Sequence, residues 1–298
     1  MKICCAVRLW SSTVLKNLFA CIIILLAVNG VSAEVKIAII DSGCNIEYEE
    51  GTSFIDDTPV DLNGHGTTIA KIIKEINPDA RLYIAKVLNS SGRNTDLIPF
   101  VKAIHWAISW EVDLINISWQ VNKDDEAIHD AIKEAYVQGI IVVAAAGNKG
   151  DIIDALIDEL YKNRQKPEIN GDVKYPAKYE EVIAVGAINR FWRFDRYEKY
   201  SPIGTKIEFV CNGTYRDQKG TSFASARATG IISKIKSDFP DYNGIKLRDI
   251  LRFYAHDMGD KGRDEKFGYG RLEYTPEVLV KSFPLLAFSN TNVKQNVH

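Results

Sequence analysis

The chain has 298 residues, of which 46% are hydrophobic, 10% aromatic and 26% charged, and its formal net charge is −2. This balance is typical of a globular protein with one large domain or two small ones. A net charge so close to zero argues against nucleic acid as a partner, because no basic surface large enough to bind it is indicated.

The first 33 residues have the pattern of a signal peptide. Basic residues precede an apolar run over residues 18–28, and small residues close the segment at Ala33. The run is shorter than the roughly 20 apolar residues that cross a bilayer. We interpret residues 1–33 as a cleaved leader that exports the chain, to the outside of the cell or to the periplasm. An uncleaved anchor, and with it contact with a membrane, is the alternative.

Two cysteines, Cys44 and Cys211, lie beyond this leader. Two cysteines build neither a disulfide scaffold nor a four-ligand zinc site. The sequence leaves open whether they form one bridge or remain buried thiols.

Beyond Ala33, short apolar runs alternate with helical patterns. The runs expected to form strands buried on both faces cover residues 35–40, 82–88, 112–118, 140–146, 182–188 and 207–211. Helical spacing predicts helices over residues 66–76, 96–110, 124–138 and 221–238. This order is typical of an α/β fold with a mostly parallel central sheet and helices on both faces. Ligand sites in such sheets lie at the carboxyl ends of the strands.

Four polar residues follow predicted strands or begin predicted helices. Asp41 ends the first strand, and His65 lies between two glycines in NGHGT. Asn148 follows a buried strand, and Ser222 lies in the first turn of the helix over 221–238. An imidazole that accepts the serine proton and a carboxylate that orients the imidazole make serine a nucleophile. Taken alone, Asp41 or Ser222 could be a cap, His65 a surface histidine and Asn148 a turn former. Their joint occurrence indicates acyl transfer.

The motifs IAIIDSG, NGHGT, AAAGN and GTSFASA occur in an order that resembles the subtilisin family of serine proteases. Further similarity covers nearly all of residues 35–275. The resemblance implies a subtilisin-like three-layer α/β fold in a peptidase domain over residues 34–283. Residues 284–298 are expected to form a flexible tail.

By this resemblance Asp41 orients, His65 is the general base and acid, and Ser222 is the nucleophile. Asn148 and the Ser222 backbone N–H form the oxyanion hole. The resemblance also assigns substrate binding to a pocket and to a strand-pairing edge. The pocket residues are Ser118, Ala145, Ala146 and Gly147, and the edge residues are Gly92, Arg93 and Asn94. It further suggests a cis peptide bond between Tyr175 and Pro176.

Several departures from the family pattern restrict these expectations. No long calcium-binding loop follows the helix that begins near His65, so neither a strong calcium site nor another metal or cofactor is expected, although relatives often bind calcium. The leader runs directly into the domain without room for a pro-domain, which leaves unaided folding or a separate helper or inhibitor chain. Gln120 lies where relatives often have glycine, and its side chain could narrow the cleft. Arg93 could favour acidic substrate side chains.

An insertion over residues 150–172 begins two residues after Asn148, and its apolar spacing predicts a helix over 151–163. This helix either flanks the cleft and restricts substrates or packs on the body of the domain.

The sequence therefore predicts an exported serine endopeptidase that hydrolyses extended polypeptides through an acyl-enzyme, with narrow processing specificity. One alternative is a catalytically silent binding protein with the same fold, which the retention of all four chemical residues disfavours. Another is acyl transfer to an amine, which would use the same residues.

Overall fold

A computed structural model describes residues 33–148, 173–191 and 194–274. The predicted leader, the predicted insertion helix and the predicted tail lie outside these residues. Within the described ranges, no helix is both long enough and apolar enough to cross a membrane.

The central sheet contains eight strands in the described part of the chain. They are β1 Lys36–Asp41, β2 Glu50–Ser53, β3 Arg81–Lys86, β4 Leu114–Ile117, β5 Ile141–Ala145, β6 Val182–Phe191, β7 Phe194–Tyr197 and β8 Phe209–Asn212. Their order is β2-β3-β1-β4-β5-β6-β7, and β8 also pairs with β6. Every pair is parallel except β6 with β7. The predicted α/β class with a mostly parallel sheet is thus confirmed.

Helices cover both faces of this sheet. Those of the described residues are α1 His65–Ile76, α2 Ile98–Ser109, α3 Glu126–Val137, α4 Thr221–Asp238 and α5 Gly244–Tyr254. One apolar core joins α1, α4 and α5 to one face, and a second core joins α2 and α3 to the other. Burial on both faces explains why the central strands are continuous apolar runs rather than alternating ones.

Three elements of the central sheet and its covering helices escaped prediction because their local signals are weak. Strand β2 is EGTS, a polar edge strand with no buried residue. Strand β7 forms an antiparallel hairpin with the end of β6. Helix α5 buries only Leu247 and Leu251, so its apolar stripe is too short to stand out. A small hairpin, β9 Thr214–Tyr215 with β10 Gln218–Lys219, precedes α4.

Two smaller expectations also have an outcome. Cys44 and Cys211 are both buried free thiols, so the bridge that the sequence left open is not formed. Burial raises the pKa of the Cys211 thiol to about 12 and also raises that of Cys44, which keeps both protonated and unreactive at neutral pH. The peptide bond between Tyr175 and Pro176 is cis.

Candidate active site

Asp41 and His65 meet where the end of β1 touches the start of α1. His65 Nδ1 lies 2.8 Å from Asp41 Oδ1, and Asp41 is buried. A Cβ on Gly66 would lie 2.2 Å from the carbonyl oxygen of Gly43, so only glycine permits this approach. Because a carboxylate only accepts, Nδ1 carries the proton and Nε2 is left as an acceptor.

Asp61 is a second buried carboxylate behind the histidine, and sequence reasoning missed it. It accepts hydrogen bonds from the Ser42 hydroxyl at 2.9 Å and from the backbone N–H groups of Gly64 and Thr67 at 2.7 and 2.8 Å. Burial alone would raise the pKa of Asp61, but the hydrogen bonds from Thr67, Gly64 and Ser42 outweigh it and hold that pKa below its ordinary value. These bonds fix the turn that carries His65. An aspartate just before the Gly-flanked turn was the available signal.

Lys86 anchors the loop that leads to Asp61. Its side chain is buried beside Asp41 in the sheet register, and Nζ donates to Asp56 at 2.6 Å and to the Val60 carbonyl at 2.8 Å. A buried cation is tolerated only when it is paired and hydrogen-bonded in this way. Lys86 therefore positions the loop from beneath.

Opposing influences act on the imidazole of His65. Burial lowers the pKa of His65, whereas the negative charge of Asp41, the hydrogen bond to Asp41 and the charge of Asp61 raise it. The raising influences prevail, and the pKa lies above its ordinary value. The site is therefore built to stabilise an imidazolium.

Ser222 lies in the first turn of α4 and is 8% exposed. Its hydroxyl donates to the Ser118 carbonyl oxygen at 3.1 Å, and no hydrogen bond joins Ser222 to His65 among the described residues. The His65 ring packs against Phe223, the next residue of the helix, with 6.0 Å between ring centroids. The residue after Ser222 thus packs on His65, which is itself bonded to Asp41, while the Ser222 hydroxyl is bonded to Ser118 rather than to the imidazole. Catalytic hydrogen bonds are often long or unmade before substrate binds.

The amide of Asn148 has a defined orientation. Its Oδ1 accepts from the Thr221 backbone N–H at 3.0 Å and from the Thr221 hydroxyl at 3.1 Å. Because a backbone N–H only donates, the atom facing it must be the oxygen, and Nδ2 points the other way. A Cβ placed on Gly220 would lie 3.6 Å from Asn148 Nδ2 and 3.8 Å from the Ser222 nitrogen. The two predicted oxyanion donors therefore border one small space.

The predicted pocket residues have different surroundings. Ala145 and Ala146 are buried, and the backbone of Gly147 is hydrogen-bonded to the Thr221 hydroxyl. The Ser118 hydroxyl accepts from the Asn116 amide at 2.9 Å and bonds to the Ser225 hydroxyl at 3.1 Å, inside the protein. The Ser118 side chain thus faces the interior, where its hydroxyl also donates to the Ser222 carbonyl at 3.4 Å, while the Ser118 carbonyl accepts from the Ser222 hydroxyl.

The predicted substrate edge is a tight turn. Both backbone groups of Arg93 are used within it, because the Arg93 N–H donates to the Asn89 side chain and its carbonyl accepts from the Asn89 N–H. Asn94 is anchored by its side chain to the Val87 carbonyl at 2.9 Å. Among the described residues, no hydrogen bond uses the Gly92 carbonyl or the Asn94 N–H. The Asn94 carbonyl is likewise unused there, so three backbone groups are unpaired at this edge.

Metal ligation has no support in the part of the chain that the structure describes. No group of three or more His, Cys, Asp or Glu side chains there could hold an ion. The expectation that the protein lacks a strong calcium site stays a prediction.

Comparison with known proteins finds similarity over most of the chain. The model of the subtilase family, peptidase S8, matches residues 32–270. The minor extracellular protease Epr of Bacillus subtilis (strain 168) is 33% identical in an alignment of 274 positions that covers 84% of this chain and 39% of Epr. Subtilisin DY of Bacillus licheniformis is 32% identical in an alignment of 265 positions that covers 80% of this chain and 88% of that protein. The chain thus spans less than half of the first relative and most of the second.

Solved structures resemble the fold as well. A crystal structure of a lanthipeptide protease superposes with a TM-score of 0.65 and 26% identity, covering 80% of this chain and 85% of that one. Sphericase superposes with a TM-score of 0.66 and 23% identity, covering 82% and 92%.

Proposed function

Because the chain belongs to the subtilase family, we propose that it is a serine endopeptidase in which Asp41, His65 and Ser222 carry out the chemistry. The observation that carries this proposal is the 2.8 Å bond between His65 and Asp41, next to a serine whose N–H borders the same space as the Asn148 amide. Binding alone would require neither of these arrangements.

In the proposed reaction, Nε2 of His65 accepts the proton of the Ser222 hydroxyl while Oγ attacks the carbonyl carbon of the scissile peptide bond. The carbonyl oxygen becomes an oxyanion that accepts hydrogen bonds from the Ser222 N–H and Asn148 Nδ2. The imidazolium then gives its proton to the leaving amine, which leaves an acyl-enzyme. Water, deprotonated by His65, hydrolyses the ester and restores the serine.

The finer part of the proposal concerns the substrate. The Gly92 carbonyl and the Asn94 N–H would pair with an extended polypeptide. Gln120 and Lys174 lie against Gly147 and reduce the room next to Asn148, which favours a narrow processing role over general digestion. The signal-peptide pattern, together with a similar protein named as an extracellular protease, supports export.

Labelling by a fluorophosphonate probe tests the nucleophile directly. We expect the full chain to be labelled at Ser222, identified by mass spectrometry, and the Ser222→Ala variant to be unlabelled, because the probe reacts only with an activated serine. Ser225→Ala is the matched control, since it removes a serine hydroxyl from the same helix and should keep the label. A folded parent protein that takes no label would contradict the proposal and favour a silent binding protein.

The pH dependence of activity follows from the raised pKa of His65. Only the neutral imidazole accepts the serine proton, so kcat/KM should rise with pH through this pKa. We expect the midpoint above the ordinary imidazole value of about 6.5. Rates of probe labelling should show the same midpoint, because the probe has no titrating group of its own. A midpoint at or below the ordinary value would show that Asp41 and Asp61 do not act on His65 as described.

A further inference from the structure

Two side chains cover the open face of Gly147, directly before Asn148. A Cβ on Gly147 would lie 2.6 Å from Lys174 Cγ and 2.7 Å from Gln120 Oε1. Gly147 also has a φ of +109°, a conformation that other residues adopt only with strain. The space that a side chain at Gly147 would fill is thus taken by Lys174 and Gln120.

The backbone around this space is held by hydrogen bonds from three segments. The Lys174 N–H donates to the Ala146 carbonyl at 2.9 Å, and Tyr175 forms a bridge with Val121. The Gln120 side-chain oxygen accepts from the Asn148 N–H at 2.9 Å. Lys174 and Gln120, together with Ala146 and Gly147, thus form a wall next to Asn148. The Lys174 side chain extends from a fixed backbone position in this wall, and the Gln120 side chain is held beside it.

Lys174 brings a positive charge that the described residues do not neutralise. The residue is partly exposed, and its ammonium makes no ion pair or hydrogen bond with any side chain in the described ranges. Gln120 contributes a neutral amide. Gly147 and Ala146 contribute no charge, so the wall is positive.

The proposed chemistry fixes which substrate residue meets this wall. The acyl carbon bonds to Ser222 Oγ, and its oxygen lies between the Ser222 N–H and Asn148 Nδ2. The leaving amine must lie on the side of His65, which protonates it. The side chain of the residue before the scissile bond begins two bonds from the acyl carbon, and in this proposal it lies along Asn148, toward Gly147 and Lys174.

We propose that Lys174 selects substrates with an acidic side chain, glutamate or aspartate, immediately before the scissile bond. This inference rests on the proposed endopeptidase function. A carboxylate there would form a charge-assisted hydrogen bond to the ammonium, and the pairing strengthens as substrate displaces water. A large apolar side chain would compete with the lysine stem for space and bury the ammonium without a partner, which is costly.

The test uses a set of peptides that are identical except at the residue before the scissile bond, with Glu, Gln, Phe or Lys at that position. We expect kcat/KM for Glu to exceed that for Gln by about tenfold, the scale of one charge-assisted hydrogen bond. Lys174→Ala should bring the Glu to Gln ratio close to one and raise cleavage after Phe. Lys174→Glu should favour Lys over Glu.

Lys178→Ala is the matched control, because it removes another lysine from the same segment and should leave the preference unchanged. Fluorophosphonate labelling of every variant separates the two levels of the argument. If the parent protein neither takes the label nor cleaves any peptide, the endopeptidase proposal fails and this inference fails with it. If the parent is labelled and cleaves peptides but prefers Phe or Lys, or if a Glu preference survives in Lys174→Ala, the role of Lys174 alone is overturned.

Discussion

Replacing Asp41 with asparagine is expected to lower kcat/KM by about 10⁴, the scale known for removing this carboxylate from serine-protease triads. Asp41 Oδ1 accepts from both His65 Nδ1 and the Ser42 N–H, at 2.8 and 2.7 Å. Asparagine removes the charge that stabilises the imidazolium. If its oxygen keeps both bonds, its NH₂ takes the place of Oδ2, which is buried and has no partner among the described residues. If the amide is turned the other way, its NH₂ faces the Nδ1–H of His65 and the N–H of Ser42, and neither donor then has an acceptor.

Steady-state kinetics on a peptide substrate measure this loss, and circular dichroism checks the fold. Asp113→Asn is the matched control. Asp113 accepts a hydrogen bond at 2.9 Å from the N–H of Lys36, which begins β1, whereas Asp41 ends that strand. The control should retain full activity. Activity of Asp41→Asn within about tenfold of the parent would mean that the carboxylate does not support His65 in catalysis.

Replacing Asn148 with leucine is expected to lower kcat by roughly 10²- to 10³-fold, the effect of losing one oxyanion donor. Leucine removes Nδ2 from the space that it borders with the Ser222 nitrogen. It also removes Oδ1, the acceptor for the Thr221 N–H at the start of α4. The variant should therefore lose about 1 kcal/mol of stability, as other helix N-terminal acceptors do when truncated.

Asn148→Asp separates these two effects. Aspartate keeps an oxygen for the Thr221 N–H but replaces the donor with an acceptor that repels the oxyanion. We expect kcat of Asn148→Asp to fall at least as far as that of Asn148→Leu, while thermal unfolding shows stability near that of the parent. An aspartate variant with parental kcat would rule out a donor role for Asn148, whatever the leucine variant does.

These predictions rely on residues that could be identified without the structure. Asp41, Asn148 and Ser222 each stand at the end of a buried strand or the start of a buried helix, where an abrupt change from apolar to polar residues is visible in the chain. Parallel strands gather their carboxyl ends at one edge of the sheet, so Asp41 and Asn148 had to lie on the same edge.

The residues proposed to select the substrate are much harder to identify from the sequence. The sequence predicts that Gln120 narrows the cleft, but it does not indicate the bond that the Gln120 side chain accepts from the Asn148 N–H. Lys174 carried no signal, because it lies in a polar stretch before Tyr175 and resembles any surface lysine. The direction of the Ser118 side chain is also not encoded in the local sequence, since its hydroxyl bonds to residues of β4 and α4.

The sequence by itself determined the α/β class, most of the strands and helices, and the four residues of the proposed chemistry, because apolar periodicity and chain order are local properties. Only the tertiary structure decided that Asp61 holds the turn of His65, that Ser222 rests on the Ser118 carbonyl, and that Lys174 borders Gly147. Those arrangements are contacts between segments far apart in the chain, and such contacts depend on how folded elements pack rather than on the neighbours of any one residue.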